Sequence, residues 1–205
     1  MCSAMLKTLV FDIGNVLLRW DPDFLYARLI PDQSARISFY NTVLPPSWNI
    51  EQDRGRSWAE AEAERIALFP DHAPFIRAFR AHWHEMVPHH IEENVAVLRA
   101  AKAANIPTFA ITNFAGDTFA EAQQRFDFLN SFDGAVISAH ERLIKPDQAI
   151  YRVFLERYGQ RAEECLFMDD SAANIKTAQA LGFATIHVTP QTNLREEVRQ
   201  HGFEI

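Results

Sequence analysis

The sequence contains little cysteine, no excess of positive charge and no long hydrophobic run. Its two cysteines, Cys2 and Cys165, are too few for a disulfide framework and indicate a reducing compartment. Acidic residues outnumber basic ones by 27 to 20, and the net charge of −7 argues against nucleic-acid binding, which usually needs a basic face. The apolar runs fall short of the roughly 20 residues that span a bilayer. Because residues 1–10 also lack the pattern of a secretory signal, we expect a cytoplasmic protein with no nucleic-acid or membrane partner.

Five short apolar runs are spaced along the chain of 205 residues and have the length of strands. Continuous apolar runs are typical of strands that are buried on both faces of a parallel sheet. The runs lie at residues 8–11, 107–112, 134–138, 165–168 and 184–188, with helical patterns between them at 91–104, 116–130, 147–158 and 171–181. This alternation predicts an α/β, Rossmann-like fold with a mostly parallel sheet and helices on both faces.

The first two predicted strands are separated by a long segment that does not continue this alternation. Residues 21–88 have helical patterns, many aromatic residues and prolines at the joints between helices. We therefore predict a small all-helical domain over residues 21–88, inserted after the first strand of a core domain formed by residues 1–20 and 89–205.

Polar side chains follow four of the predicted strands. Asp12 follows the first, Thr112-Asn113 ends the second, Lys145 lies in the loop after the third, and Asp169-Asp170 ends the fourth. Ligands of open parallel sheets bind at the carboxyl ends of the strands, so these groups are expected to converge. Carboxylates can hold Mg²⁺ or act as nucleophiles, and a hydroxyl and an ammonium can neutralise phosphoryl oxygens.

Four segments of the chain resemble, in order, the four motifs of the haloacid dehalogenase-like (HAD) superfamily. The first contains a Gly-Asn-Val sequence after its aspartate, and the likeness extends over residues 7–190. The segments are Phe11-Asp12-Ile13-Gly14-Asn15-Val16-Leu17, Ile111-Thr112-Asn113, Leu143-Ile144-Lys145-Pro146-Asp147 and Phe167-Met168-Asp169-Asp170-Ser171-Ala172-Ala173-Asn174-Ile175.

The resemblance implies catalytic and substrate-binding roles for four residues. Asp12 would be the nucleophile that accepts a phosphoryl group. Thr112 and the backbone of Asn113 would bind the phosphoryl oxygens. Lys145 would hold Asp12 and the phosphate together.

The resemblance also implies a Mg²⁺ site and a mobile cap. Asp170 would be the main metal ligand, together with Asp12 and the backbone carbonyl of Gly14. Asp169 would be either a further ligand or a group that supports the ligands. The helical insertion at residues 21–88 matches the cap that this family places after its first motif, and its motion would open and close the site.

The first motif departs from the usual pattern of phosphatases in this superfamily. These enzymes usually carry a second aspartate two residues after the nucleophile, which protonates the leaving oxygen and then activates water. Here that position is Gly14. A residue of the insertion, such as Asp53 or Glu51, or a hydroxyl of the substrate, is a candidate replacement. Otherwise we expect a slow enzyme, or one whose leaving group needs little protonation, because acid–base catalysis typically contributes about 10²–10⁴-fold.

The function expected from the sequence is Mg²⁺-dependent hydrolysis of a small phosphomonoester, such as a sugar phosphate, through an aspartyl-phosphate intermediate. Two alternatives remain open. A dehalogenase acting on 2-haloacids also uses an aspartate nucleophile without the second acid, although it has little use for Asp170. A non-catalytic protein that binds a phosphorylated ligand would explain Gly14, although it need not retain the other site residues.

Two further groups of residues can be interpreted either as functional or as purely structural. Residues 48–56 read as a loop that either sets substrate specificity, with Arg54 or Arg56 meeting an anionic group, or forms a solvated turn. The histidines at 82, 84, 89 and 90 match no zinc-binding spacing, so we expect them not to bind metal.

Overall fold

The computed structural model describes residues 5–205, and its centre is a five-stranded parallel sheet. The strands are β1 (Thr8–Phe11), β2 (Thr108–Thr112), β3 (Gly134–Ile137), β4 (Cys165–Asp169) and β5 (Ala184–His187). Their order across the sheet is β3-β2-β1-β4-β5, and every pairing is parallel. The first strand therefore lies in the middle, between β2 and β4. The predicted α/β fold is confirmed.

The sheet is buried on both faces because the central strands are apolar at successive positions. Leu9 and Phe11 of β1 pack into one hydrophobic cluster, whereas Val10 packs into a second cluster on the opposite face. Side chains alternate between the two faces of a strand, so an uninterrupted apolar run can fill two cores at once.

Six helices and a 3₁₀ turn form the helical insertion, residues 23–86, and one further helix connects the insertion to β2. Aromatic contacts join these helices to one another. For example, the rings of Trp48 and Phe79 pack edge to face, with their centroids 5.4 Å apart. Their buried side chains are continuous with the cluster on one face of the sheet. The helices are α1 (Asp23–Leu29), α2 (Gln33–Thr42), α3 (Pro46–Asp53), α4 (Trp58–Leu68), α5 (Ala73–Ala81) and α6 (Trp83–Met86).

Six more helices follow in the rest of the chain. Helices α7 and α8 pack on the same face of the sheet as the insertion, and α10 and α11 cover the other face. The predicted helix over residues 116–130 is shorter than expected, because α8 ends at Arg125 and a 3₁₀ turn at Asp127–Asn130 follows it. The helices are α7 (Glu92–Ala103), α8 (Gly116–Arg125), α9 (Ser138–Glu141), α10 (Gln148–Tyr158), α11 (Ala172–Ala180) and α12 (Leu194–Gln200).

The predicted loop over residues 48–56 was wrong for most of its length. Helix α3 begins at Pro46 and continues to Asp53, so only the residues after it form a turn. Proline is favourable in the first turn of a helix, so Pro45-Pro46, which marks a joint in the sequence, also begins α3. Within residues 5–205, no helix combines the length and the apolar character needed to cross a membrane.

Candidate active site

The two central strands bring two buried aspartates side by side. Phe11 of β1 is in register with Met168 of β4, so Asp12 and Asp169 follow as neighbours at the same edge of the sheet. The Asp12 backbone N–H donates to the Met168 carbonyl oxygen at 2.8 Å, which extends the ladder by one bond. The parallel register therefore fixes the position of both carboxylates.

Lys145 lies between these two carboxylates. Its Nζ atom is 2.9 Å from Asp12 Oδ1 and 2.7 Å from Asp169 Oδ2, and it also donates to the Ile111 carbonyl oxygen at 2.9 Å. Burial opposes the charged form of the ammonium, but the two carboxylates outweigh burial and raise the pKa of Lys145. The side chain is therefore a fixed, fully charged cation.

Asp169 is fully buried, and both of its oxygens are already occupied. Besides Lys145, the Asn174 side chain donates to Oδ1 at 2.9 Å and to Oδ2 at 3.1 Å, and the Ser171 backbone N–H donates to Oδ1 at 2.8 Å. Of the two roles expected for Asp169, this geometry favours support of the neighbouring groups over direct metal ligation.

Asp12 has one engaged and one free carboxylate oxygen. Lys145 and the Ile13 backbone N–H, at 2.7 Å, both contact Oδ1. Within the described part of the chain, no hydrogen bond is made to Oδ2. Burial raises the pKa of Asp12 to about 7, with Lys145 acting against the shift and the charge of Asp169 adding to it. A cation placed near Oδ2 would favour the ionised, nucleophilic form.

Asp170 completes a cluster that suits a hard cation. Oxygens of Asp12, Asp169 and Asp170 lie within 4.8 Å of one another. Burial and the charge of Asp169 raise the pKa of Asp170, whereas Lys145 and the side chain of Asn15 lower it. Because Asp12, Gly14 and Asp170 all line one cavity, these residues fit Mg²⁺, which prefers oxygen ligands and keeps open positions for substrate phosphate.

A cavity of about 420 Å³ opens above these charged groups and lies between the sheet and the helical insertion. Asp12, Lys145 and Asp170 line its polar end. Most of its other walls are apolar or aromatic. These walls are formed by Leu18, Trp20, Pro46, Ile50, Trp58, Trp83, Val87, Phe114 and Pro146.

Residues 6–182 match the family described as haloacid dehalogenase-like hydrolase. The chain belongs to this family of hydrolases. It is 25% identical to sesquiterpene phosphatase astK of Aspergillus oryzae over 98% of both chains. Its fold is similar to a HAD-like hydrolase from Porphyromonas gingivalis, with a TM-score of 0.76, 21% identity, and coverage of 98% of this chain and 100% of the other. A HAD enzyme from Bacteroides thetaiotaomicron, solved with magnesium and inorganic phosphate, has a TM-score of 0.72, 19% identity, and coverage of 94% and 98%.

Thr112 and Asn113 occupy different positions relative to the cavity of this HAD-like hydrolase. Asn113 lines the cavity, and its side chain exchanges two hydrogen bonds with the Lys145 backbone, at 3.0 Å to the carbonyl oxygen and 2.8 Å from the N–H. Thr112 is buried behind it, and its hydroxyl has no hydrogen-bond partner among the described residues. Asn113 thus fixes the loop that carries Lys145, a role that residue type alone did not indicate.

The helical insertion contributes one carboxylate to the cavity of the hydrolase. Asp53, the last residue of α3, lines the wall together with Asn49, whose side chain donates to Asp53 Oδ2 at 3.1 Å. Glu51, the other candidate acid, is exposed on α3 and does not line the cavity. Of the two acids that the sequence suggested, only Asp53 reaches the site.

The two arginines after α3 do not face the cavity. Arg54 lies 3.6 Å from Glu51, and Arg56 lies 2.8 Å from Glu64, so both pair with acids of the insertion. Of the two interpretations of residues 48–56, contact of either arginine with an anionic group of the substrate is therefore not supported. In residues 5–205, the group of side chains able to hold a metal is the three-aspartate cluster, which includes none of the histidines at 82, 84, 89 and 90.

Proposed function

We propose that this hydrolase is a Mg²⁺-dependent phosphatase that acts on a small phosphomonoester. One observation carries the proposal: Asp12 has a free carboxylate oxygen, is held by Lys145, and lies beside Asp170 at the polar end of a cavity. Phosphoryl transfer through a covalent intermediate needs a nucleophile, a cation and metal ligands close together, and this cavity contains all three.

Each site residue then has a defined task. Asp12 Oδ2 attacks phosphorus, and the acyl phosphate that forms is later hydrolysed to inorganic phosphate. Lys145 orients Asp12 and neutralises phosphoryl charge, with the backbone of Asn113 as a further donor. The predicted contact of Thr112 would need its hydroxyl, which is buried behind Asn113, to become accessible. Asp12, Asp170 and the carbonyl of Gly14 would hold Mg²⁺, which supplies positive charge to the phosphoryl oxygens when it is bound.

The cavity favours a substrate with an apolar organic group. Its walls present Trp58, Trp83, Phe114 and Ile50, and no charged side chain of the insertion other than Asp53. A sugar would leave many hydroxyls without partners against such walls, which is costly. The similarity to a sesquiterpene phosphatase supports the same choice. We therefore favour an alkyl or isoprenoid monophosphate over the sugar phosphate that the sequence allowed.

The same proposal assigns a cap role to the helical insertion. Residues 21–88 would form a cap domain over a core of residues 1–20 and 89–205, with the cavity enclosed between them. Since the insertion supplies most of the apolar wall, it would choose the organic group while the sheet edge performs the chemistry.

The dehalogenase alternative is supported by Gly14, and the binding-protein alternative by the same absence of a second acid. Asp170 counts against the first alternative, and the free oxygen of Asp12 counts against the second. A metal-free halide displacement does not need a further acid beside Asp12, and a binding protein does not need a nucleophile with a free oxygen.

The test measures phosphate release with and without Mg²⁺ from two series of esters. One series contains linear alkyl and isoprenoid monophosphates, and the other contains sugar phosphates. We expect release that requires Mg²⁺ and is lost in Asp12→Asn. Along the alkyl series kcat/KM should rise about fourfold per methylene until the cavity is full, as expected for about 0.8 kcal/mol per buried CH₂. Halide release from 2-haloacids, with no phosphate release, would instead establish the dehalogenase.

A further inference from the structure

The leaving oxygen of an alkyl phosphate must receive a proton, and the first motif provides no group to deliver it. Gly14 lines the cavity but has no side chain, and the space that its β-carbon would fill is open. An alkoxide is a poor leaving group, so an acid at this point contributes about 10²–10⁴-fold. A different part of the chain must supply it if the enzyme is efficient.

We propose that Asp53, which reaches the site from the helical insertion, is the catalytic acid and base of this enzyme, an inference that rests on the proposed phosphatase function. It lines the same cavity as Asp12, Lys145 and Asp170, on the wall formed by the insertion. In an in-line displacement the ester oxygen leaves on the side of phosphorus opposite Asp12, which is the side of the insertion. Asp53 is thus on the side where the leaving oxygen departs.

The backbone around Asp53 is fastened to the core of the protein. The Ser138 hydroxyl, at the start of α9, donates to the Asp53 carbonyl oxygen and accepts from the Phe114 N–H at 2.8 Å. Phe114 directly follows Asn113, which fixes the loop that carries Lys145. One short network therefore connects the backbone of Asp53 to that loop. Two residues later, Gly55 packs against the backbone of Ala139. These contacts fix the backbone that carries the Asp53 side chain, and Asn49 donates to its carboxylate at 3.1 Å.

The environment of Asp53 keeps a proton available near neutral pH. Burial raises the pKa of Asp53 to about 7, an effect opposed by the Ala115 N–H and increased by the negative charge of Asp12. The other charged groups that line the cavity are Lys145 and Asp170. A pKa close to the working pH suits a group that donates and then accepts a proton.

The two half-reactions balance with Asp53 in this role. In the first, the bond from Asp12 Oδ2 to phosphorus forms, the bond from phosphorus to the ester oxygen breaks, and the proton of Asp53 moves to that oxygen to give an alcohol. In the second, the Asp53 carboxylate takes a proton from water, whose oxygen bonds to phosphorus. The acyl phosphate bond then breaks, which regenerates the Asp12 carboxylate and protonated Asp53 and releases inorganic phosphate.

The test compares two leaving groups in the holoenzyme with Mg²⁺. Asp53→Asn keeps the size of the side chain and the contact with Asn49 but cannot exchange a proton. With an alkyl phosphate, we expect single-turnover alcohol release to slow by about 10²–10⁴-fold. With 4-nitrophenyl phosphate, whose phenolate leaves without protonation, the nitrophenolate burst should stay close to the wild-type rate, followed by slow turnover and accumulated phosphoenzyme.

Glu51→Gln is the matched control, since Glu51 lies on the same helix but outside the cavity, and both reactions should keep wild-type rates. Equal slowing of the two substrates by Asp53→Asn, or no slowing of either, would overturn the role of Asp53 while leaving the phosphatase in place. Absence of phosphate release by the wild-type enzyme from both esters would overturn the proposed function and this inference together.

Discussion

Gly55 in the helical insertion lies so close to Ala139 in α9 that a β-carbon at Gly55 would be 2.9 Å from the Ala139 carbonyl oxygen. Gly55 also has a φ of +100°, a conformation that side chains with a β-carbon rarely adopt. The turn after α3 is therefore compatible with glycine alone. This close approach, together with Ser138, brings the end of α3 against the core.

Gly55→Ala should push this turn away from α9 and move Asp53. We expect a lower melting temperature and, for alkyl phosphates, a slower phosphorylation step with little change in the nitrophenolate burst. Gly202→Ala is the control, because Gly202 has a similar φ of +91° but open space around its β-carbon. It should cost only the backbone strain, about 1–2 kcal/mol, and leave the rates unchanged. Equal effects of both variants on the rates would contradict a positioning role for Gly55.

Lys145→Met should destabilise the protein and abolish activity. It leaves Asp12 and Asp169 buried without their cation, and removal of one partner from a buried ion pair typically costs about 3–5 kcal/mol. Adding Asp169→Asn removes one of the two stranded charges and should recover part of that stability, but not the activity. Urea unfolding of both variants measures the recovery. If the double variant were less stable than Lys145→Met, charge balance would not explain the role of Lys145.

Mg²⁺ should raise the melting temperature of the wild-type protein in a concentration-dependent manner. Ligand that binds the folded state alone stabilises by about 2.7 kcal/mol at one hundred times its Kd. Asp170→Asn should lose most of this response, because its carboxylate is the one in the cluster that does not also hold Lys145. The exposed acid Asp127 provides the control, and Asp127→Asn should respond as the wild type does. An unchanged response of Asp170→Asn would exclude Asp170 as the main ligand.

The sheet and the position of its polar edge could be predicted from the sequence, because both follow from local patterns. Uninterrupted apolar runs indicated buried strands, and parallel strands place their carboxyl ends together, so Asp12, Lys145 and Asp169 were expected to converge. The groups do converge because β1 and β4 pair in parallel with Phe11 beside Met168, so that Asp12 and Asp169 follow at the same edge.

The contribution of the insertion was harder to predict, because it depends on contacts between residues far apart in the chain. The sequence suggested Asp53 and Glu51 equally, and only the packing of α3 on α9 distinguishes the buried residue from the exposed one. The sequence left two interpretations open for Arg54 and Arg56 for the same reason, since their acidic partners in the insertion are known only from the fold. A pattern of residue types does not reveal which face of a short helix meets the core.

The pH dependence of phosphorylation should differ between leaving groups. Because the pKa of Asp53 is raised to about 7, the acid is protonated below that pH and loses its proton above it. At saturating Mg²⁺, the rate with an alkyl phosphate should therefore fall as pH rises beyond about 7, approaching tenfold per unit. The rate with 4-nitrophenyl phosphate should show no such fall, nor should Asp53→Asn with either substrate. A fall of equal size for both substrates would assign the titration to another group.

Gly14→Asp should partly restore the activity that Asp53→Asn loses. A β-carbon at Gly14 meets no atom within 4 Å, and the φ of Gly14 lies outside the region that requires glycine, so the longer side chain has room to enter the cavity. It would place a carboxyl group next to the leaving oxygen from the sheet side. In the double variant Gly14→Asp/Asp53→Asn, alcohol release from an alkyl phosphate should increase over Asp53→Asn alone, while the nitrophenolate burst changes little.

Gly14→Asn in the same background has a similar size but no exchangeable acid proton and should not restore the rate. Restoration by Gly14→Asn as well would mean that the added side chain acts by filling space, and the proton would then have to come from elsewhere.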